Sequence, residues 1–181
     1  MDAPDTFVAL LRGINVGGKK KIAMAELRSL FSSLGFEDVV TYIQSGNVVF
    51  SGPDGDADEI SARIEREITR VFGIDPAVLL RTPVELEKIA EHNPYSSRTD
   101  LSKLHAVFLD RIPPTRAAAE LDPERSPGDE FTLHGREIYL HLPNGAGRSK
   151  LTIDYFERRL GVRATARNWN TLLRLLELSR R

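Results

Sequence analysis

The chain contains no cysteine. That removes disulfides, thiolate nucleophiles and thiolate metal sites from consideration. It has no apolar run approaching the roughly 20 residues that cross a bilayer as a helix. Its opening residues, Met1-Asp2-Ala3-Pro4-Asp5, are acidic and lack the basic start and apolar core of a signal peptide, so the expected location is the cytoplasm. An excess of either charge is missing too: 25 Lys and Arg stand against 26 Asp and Glu, a formal net charge of −1. Sequence-blind nucleic-acid binding needs a basic surplus, which leaves only local basic patches for that role. The histidines (92, 105, 134 and 141) have no zinc or facial-triad spacing, and no metal site is expected. Ser45 has no evident His–Asp partner set, so no catalytic residue is assigned.

What is present is ordinary globular material. The 181 residues are 41% hydrophobic and 28% charged, enough for one large domain or two small ones. The densest packet of special residues runs over positions 10–22: Leu10-Leu11-Arg12-Gly13-Ile14-Asn15-Val16-Gly17-Gly18-Lys19-Lys20-Lys21-Ile22. Glycines let a backbone approach a ligand, and lysines near a helix start attract anions. Gly13, Gly18 and Lys19 fit the spacing of a phosphate-binding G-x-x-x-x-G-K-[ST] loop, but Lys20 stands where a hydroxyl should hold Mg²⁺. The run His105-Ala106-Val107-Phe108-Leu109-Asp110 could be offered as its second metal-holding strand, but such runs are common. A non-Walker anion site and a plain tight turn are the other two readings.

Taken in order, residues 6–12 read as a strand with both faces apolar. Met24, Leu27, Leu30, Phe31 and Leu34 form one stripe of a helix that stops at Gly35. Residues 39–43 and 48–50 make a hairpin about Ser45-Gly46-Asn47. Ile60, Ile64, Ile68 and Phe72 mark a second helix closed at Gly73, and a strand follows over 76–81. This strand–helix–strand–strand–helix–strand order is the split βαβ arrangement of ferredoxin-like folds. Thr82-Pro83-Val84-Glu85 is a capping box opening a helix to about Glu91. A linker is expected at 93–98, dividing the chain into subdomains 1–94 and 95–181.

The second part repeats the theme: a strand over 105–109, a short helix over 115–121, and a hairpin over 131–134 and 137–142. Next come a glycine-rich basic loop over 143–148 and a helix over 150–160 that Ser149 can cap. After an extended piece, Asn168 can cap a last helix with Trp169, Leu172, Leu173 and Leu176 inside. No residue-level repeat links the halves.

Residues 10–18 with the lysines after them, Thr41-Tyr42-Ile43-Gln44-Ser45-Gly46-Asn47-Val48-Val49-Phe50, Tyr139-Leu140-His141-Leu142-Pro143 followed by Ser149-Lys150-Leu151, and Arg167-Asn168-Trp169-Asn170-Thr171 together resemble the bacterial domain-of-unknown-function 1697 family. The resemblance spans almost the whole chain. It implies an α+β fold of two ferredoxin-like subdomains packed together, and it implies no settled activity or cofactor. Ala166 departs from the family pattern, which more often has Thr there, so a hydroxyl at that position is not essential here.

The motifs contribute one kind of group. Arg12, Asn15, Gly17, Gly18, Lys19 and Lys20 come from the first. Gln44, Ser45 and Asn47 come from the second, Ser149 and Lys150 from the third, and Arg167, Asn168 and Asn170 from the fourth. Cationic and amide side chains orient phosphates and carboxylates, and they supply no general base. The expected function is therefore binding of a small phosphate- or carboxylate-bearing ligand at a cleft between subdomains by a monomer or homodimer. Nucleic-acid binding through the basic loops, or a structural and protein-interaction role, are the alternatives. The first four strands read as apolar on both faces with no RNP-type aromatics, which disfavours RNA binding across the sheet.

Overall fold

Two runs of strand and helix repeat the same order along the chain. The structure is a computed structural model and describes residues 5–15, 21–52 and 55–180. The first run is β1 (Asp5–Arg12), α1 (Met24–Ser33), β2 (Glu37–Tyr42), β3 (Asn47–Gly52), α2 (Ala57–Phe72), β4 (Ala77–Arg81) and α3 (Pro83–Glu91). The second is β5 (Leu104–Leu109), α4 (Thr115–Ala119), β6 (Glu130–His134), β7 (Glu137–His141), α5 (Ile153–Leu160), β8 (Ala164–Asn168) and α6 (Trp169–Ser179). The fold is α+β, as the strand and helix order predicts. Its two antiparallel four-stranded sheets are ordered β2-β3-β1-β4 and β6-β7-β5-β8. The chain forms two compact units, residues 1–87 with 175–181 and residues 88–174, crossing over inside α3 and returning inside α6. Among the described residues no helix is long and apolar enough to cross a membrane.

In the first unit, alternation along each strand sends one set of side chains toward α1 and α2. Phe7, Ala9, Leu11, Val48, Phe50, Val78 and Leu80 meet Leu27, Leu30, Phe31, Ile60, Ile64 and Ile68 in one core. Phe50 is its hub, with Phe36, Phe31 and Phe7 rings at centroid distances of 4.6, 5.2 and 5.7 Å. Removing such a ring costs about 3–5 kcal/mol. The other set on β1, β3 and β4 (Val8, Leu10, Val49, Leu79) is aliphatic and buried as well. β2 departs from the expectation of two apolar faces. It is an edge strand with a register shift between Glu37 and Val40, and Val40 is exposed. In the second unit, Val107, Leu109, Ile138, Leu140 and Ala164 pack with Tyr155, Phe156 and Leu160 of α5.

Helix ends follow local chemistry. Asp56 caps α2 by accepting from the Asp58 N–H at 2.8 Å. Thr82 and Glu85 bond reciprocally at the start of α3, the Glu85 carboxylate accepting from the Thr82 N–H and the Thr82 hydroxyl from the Glu85 N–H. Asn168 caps α6 through its Oδ1, which accepts from the Thr171 N–H at 2.9 Å. The expected cap of the 150–160 helix is corrected. α5 begins at Ile153, and Thr152 accepts from the Tyr155 N–H. On α6, Leu173 is exposed, and Leu175 and Leu178 are buried instead.

The two runs match in register although not in residues. Val8 of β1 faces Arg81 of β4, and Ala106 of β5 faces Arg167 of β8. Both arginines are buried, and each donates through Nη1 to the carbonyl of the residue before it, at 2.8 Å. Three positions earlier on β4 and β8, helix carboxylates satisfy edge-strand N–H groups: Glu65 accepts from Val78 and Glu157 from Ala164, both at 2.8 Å.

Candidate functional site

The antiparallel pairing of β1 with β3 sets the end of one beside the start of the other. The split βαβ order alone does not say whether the loop after β1 and the β2–β3 turn share an end of the sheet. Here they do. Leu10 faces Asn47, Tyr42 faces Asn47 from the other side, and the Leu11 N–H donates to the Gly46 carbonyl at 2.8 Å. Arg12 faces Ala77, which brings the start of β4 to the same place.

Asn15 organises this end. Its Nδ2 donates to the carbonyls of Ile22 at 3.1 Å and Gln44 at 3.0 Å, and its Oδ1 accepts from the Ile22 N–H at 2.7 Å. Ile14 and Ile22 on either side are buried in the core of the first unit. Asn47 is fully buried, and its Nδ2 donates to the Tyr42 carbonyl at 2.9 Å and to Ser45 Oγ at 3.0 Å. The carboxamides of both asparagines therefore tie segments of the fold together. Arg12 is half-buried, and Gln44 and Ser45 are exposed.

The backbone here is unusual. Gly13, Asn15, Ile43 and Gly46 all have positive φ, at 85°, 55°, 49° and 82°. For the β-branched Ile43 this is an outlier, and its side chain is 49% exposed. Gly46 is dictated by space: a Cβ there would lie 2.8 Å from Leu11 Cβ and from Ile14 Cδ1.

Gly17, Gly18, Lys19 and Lys20 lie outside the described residues. In the second unit, Ser149 follows a single 3₁₀ turn (Ala146–Arg148), and its Oγ accepts from the Leu151 N–H. Lys150 is exposed, and its N–H donates to Ser126 Oγ at 3.0 Å. Ser149-Lys150 is therefore not at a helix start, the basis on which sequence made it an anion site. Arg167 donates to Thr165 Oγ1 and the Ala166 carbonyl, and burial lowers its pKa to about 10. Asn168 is used as a cap, and Asn170 is exposed on α6. Ser126 precedes β6 and Asn168 ends β8, so these two groups anchor to opposite edges of the second sheet.

Other sequence candidates have local explanations. Asp110 accepts from Arg111 at 3.0 Å and from the Arg163 N–H at 3.0 Å. His92 and His134 rings stack at 6.0 Å, and His141 lies 3.4 Å from the Glu130 carboxylate. No group of three His, Asp or Glu among the described residues could hold a metal ion. The left-handed backbone of Ile43 had no sequence signal, because nothing about a Tyr-Ile-Gln run favours positive φ.

The site as described offers a guanidinium, amide and hydroxyl groups beside a glycine-containing turn. It can orient an anion and offers no assigned proton acceptor.

Comparison with known proteins bears on the family and the fold. The chain is similar in structure to the conserved bacterial protein SP0830 from Streptococcus pneumoniae, with a TM-score of 0.75 and 24% identity over 98% of this chain and 99% of that one. At that identity the likeness speaks for the fold alone. No curated protein matches the chain. The family described as "Protein of unknown function (DUF1697)" matches residues 5–139. The chain belongs to that family, whose function is not named.

Proposed function

We propose that the protein is a cytoplasmic binding module for a small ligand bearing a phosphate or carboxylate. The ligand is taken at the end of the first sheet, where Arg12 and the Gln44–Ser45 turn meet. Lys19 and Lys20, carried between Asn15 and Ile22 in the chain, add positive charge. The observation that carries this reading is the convergence of segments roughly thirty residues apart on one sheet end, through the Asn15-to-Gln44 bond. Positive φ at the non-glycine residues Asn15 and Ile43 adds support, because strained backbone concentrates at ligand clamps. Guanidinium and amide donors match anionic oxygens. No general base is assigned, so the reading stops at binding.

The hydrogen bonds of Asn15 and Asn47 favour a structural role for those two side chains. Binding is accordingly tested at Arg12 and Gln44. Stacking of single-stranded RNA across the first sheet is not part of the proposal, because the residues of the face away from α1 and α2, Val8, Leu10, Val49 and Leu79 with Arg81 among them, are buried and include no aromatic ring. The test is calorimetric titration of wild type, Arg12→Ala and Gln44→Ala with a panel of nucleotides, sugar phosphates and di- and tricarboxylates. At least one class should bind wild type, and the Arg12 variant should bind it about tenfold or more weakly. Silence across the panel, or equal affinity in all three proteins, removes the proposal.

A further inference from the structure

The second unit carries a separate cavity of about 420 Å³, lined by Asp122, Arg125, Tyr155, Arg158 and Arg159. Its floor is the buried ring of Tyr155, and Arg125 lies over that ring with its guanidinium carbon 4.8 Å from the centroid. The Tyr155 hydroxyl oxygen accepts from the Asp122 N–H at 3.0 Å, leaving its own proton able to donate. Arg158 donates through Nε to the Asp154 carbonyl, and Arg159 donates through Nη2 to the Glu120 carbonyl. These bonds hold two guanidinium groups at the rim by main-chain acceptors, without neutralising them.

Arg70, Arg98, Arg111, Arg116 and Arg163 are each paired with a carboxylate within 4 Å. Among the described residues, none of the three rim arginines has such a pair. That lack is shared with Arg28 and Arg63, which donate to Thr41 Oγ1 and the Leu34 carbonyl, and what sets the rim arginines apart is their gathering around one cavity. The one lining carboxylate, Asp122, accepts from the Glu124 N–H at 2.9 Å. Three guanidinium groups against one carboxylate leave a concave site with a surplus of two positive charges in a chain whose net charge is −1. Its lining is polar and cationic, unlike the apolar pockets that take neutral ligands.

We propose that this cavity binds a small molecule with two adjacent anionic groups, phosphate or carboxylate, whose oxygens take paired N–H donors from Arg125, Arg158 and Arg159 and the hydroxyl proton of Tyr155. The site is independent of the one on the first sheet. Inorganic pyrophosphate and citrate are the probes, and monophosphate is the single-anion control. Titrations of the full chain are followed by calorimetry and by the arginine Nε–H resonances in ¹H–¹⁵N spectra. Pyrophosphate or citrate should saturate at one site, shift the rim arginine resonances, bind more tightly than monophosphate and weaken with added salt. Arg158→Gln and Arg125→Ala should each weaken the binding that shifts the rim resonances about tenfold or more, whereas those shifts should persist in Arg12→Ala. Arg158→Gln replaces an exposed side chain, so it reports on binding even if Arg125→Ala disturbs the Tyr155 floor. Absence of saturable binding at low salt overturns the proposal. So does affinity that Arg158→Gln leaves intact, or loss of the rim shifts in Arg12→Ala alone.

Discussion

The side-chain amide of Asn15 donates to the main-chain carbonyl of Gln44, so the loop that leaves the first strand is tied to the turn between the second and third. Two further bonds join Asn15 to Ile22. Asn15→Ala removes all three and places alanine at a φ of 55°, so it should lower unfolding stability by about 2–4 kcal/mol. Asn15→Gly tolerates the backbone but loses the same bonds, and it should fall between alanine and wild type. Urea unfolding of the three proteins checks the order.

Ile43 and Gly46 make opposite tests of the same turn. Gly46→Ala places a methyl group 2.8 Å from two buried side chains, and it should cost about 2 kcal/mol or more. Ile43→Gly relieves a positive φ at a half-exposed position and should stabilise the fold by up to about 1 kcal/mol. If the strain at Ile43 shapes the anion site, the same variant should bind the ligand of that site more weakly while melting at a higher temperature. Thermal melts with and without ligand separate the two effects.

Glu65 and Glu157 occupy equivalent places in the two repeats, each accepting from an edge-strand N–H. A carboxylate acceptor makes a stronger bond than a neutral one and also guards an exposed strand edge. Glu65→Ala and Glu157→Ala should each destabilise by about 1–3 kcal/mol, and the Gln variants by less. Hydrogen exchange at Val78 and Ala164 should quicken locally in the matching variant.

His105 gives a pH dependence with a definite sign. Burial holds its imidazole below the ordinary value of 6.5, and its Nδ1 has no hydrogen-bond partner. The unfolded chain therefore takes up a proton at a higher pH than the folded chain. The neutral ring's contribution is complete above the unfolded value and is lost as pH falls from about 6.5 toward the folded one. His105→Leu should flatten the fall in melting temperature between pH 7.5 and 5. An identical fall in both proteins would assign the effect to other groups.

Much of the fold was legible because its signals are local. Capping by Thr82, Glu85 and Asn168, the stripe Leu27, Leu30 and Phe31, and the alternation of β7 all depend on neighbours within a few positions. Ser149 misled because it stands three residues before Thr152, and either hydroxyl could have opened the helix. The candidate site was legible as residue types and not as roles. Asn15 and Asn47 look like ligand groups in sequence, and coordinates turn their amides inward to main-chain carbonyls. Arg81 is of a residue type that is usually exposed and stands at a strand end, yet it is 1% exposed.

By itself the sequence determined the α+β class, the order of strands and helices, and the apolar faces that each must cover, since periodicity and capping are properties of short stretches. The tertiary structure alone decided that the turn at 43–46 meets the loop after Arg12. It also placed residues 175–181 with the first unit and set Arg81 and Arg167 in matching registers. Those outcomes depend on strand pairing and burial between residues far apart in the chain, and no local pattern encodes which distant partner a strand end will find.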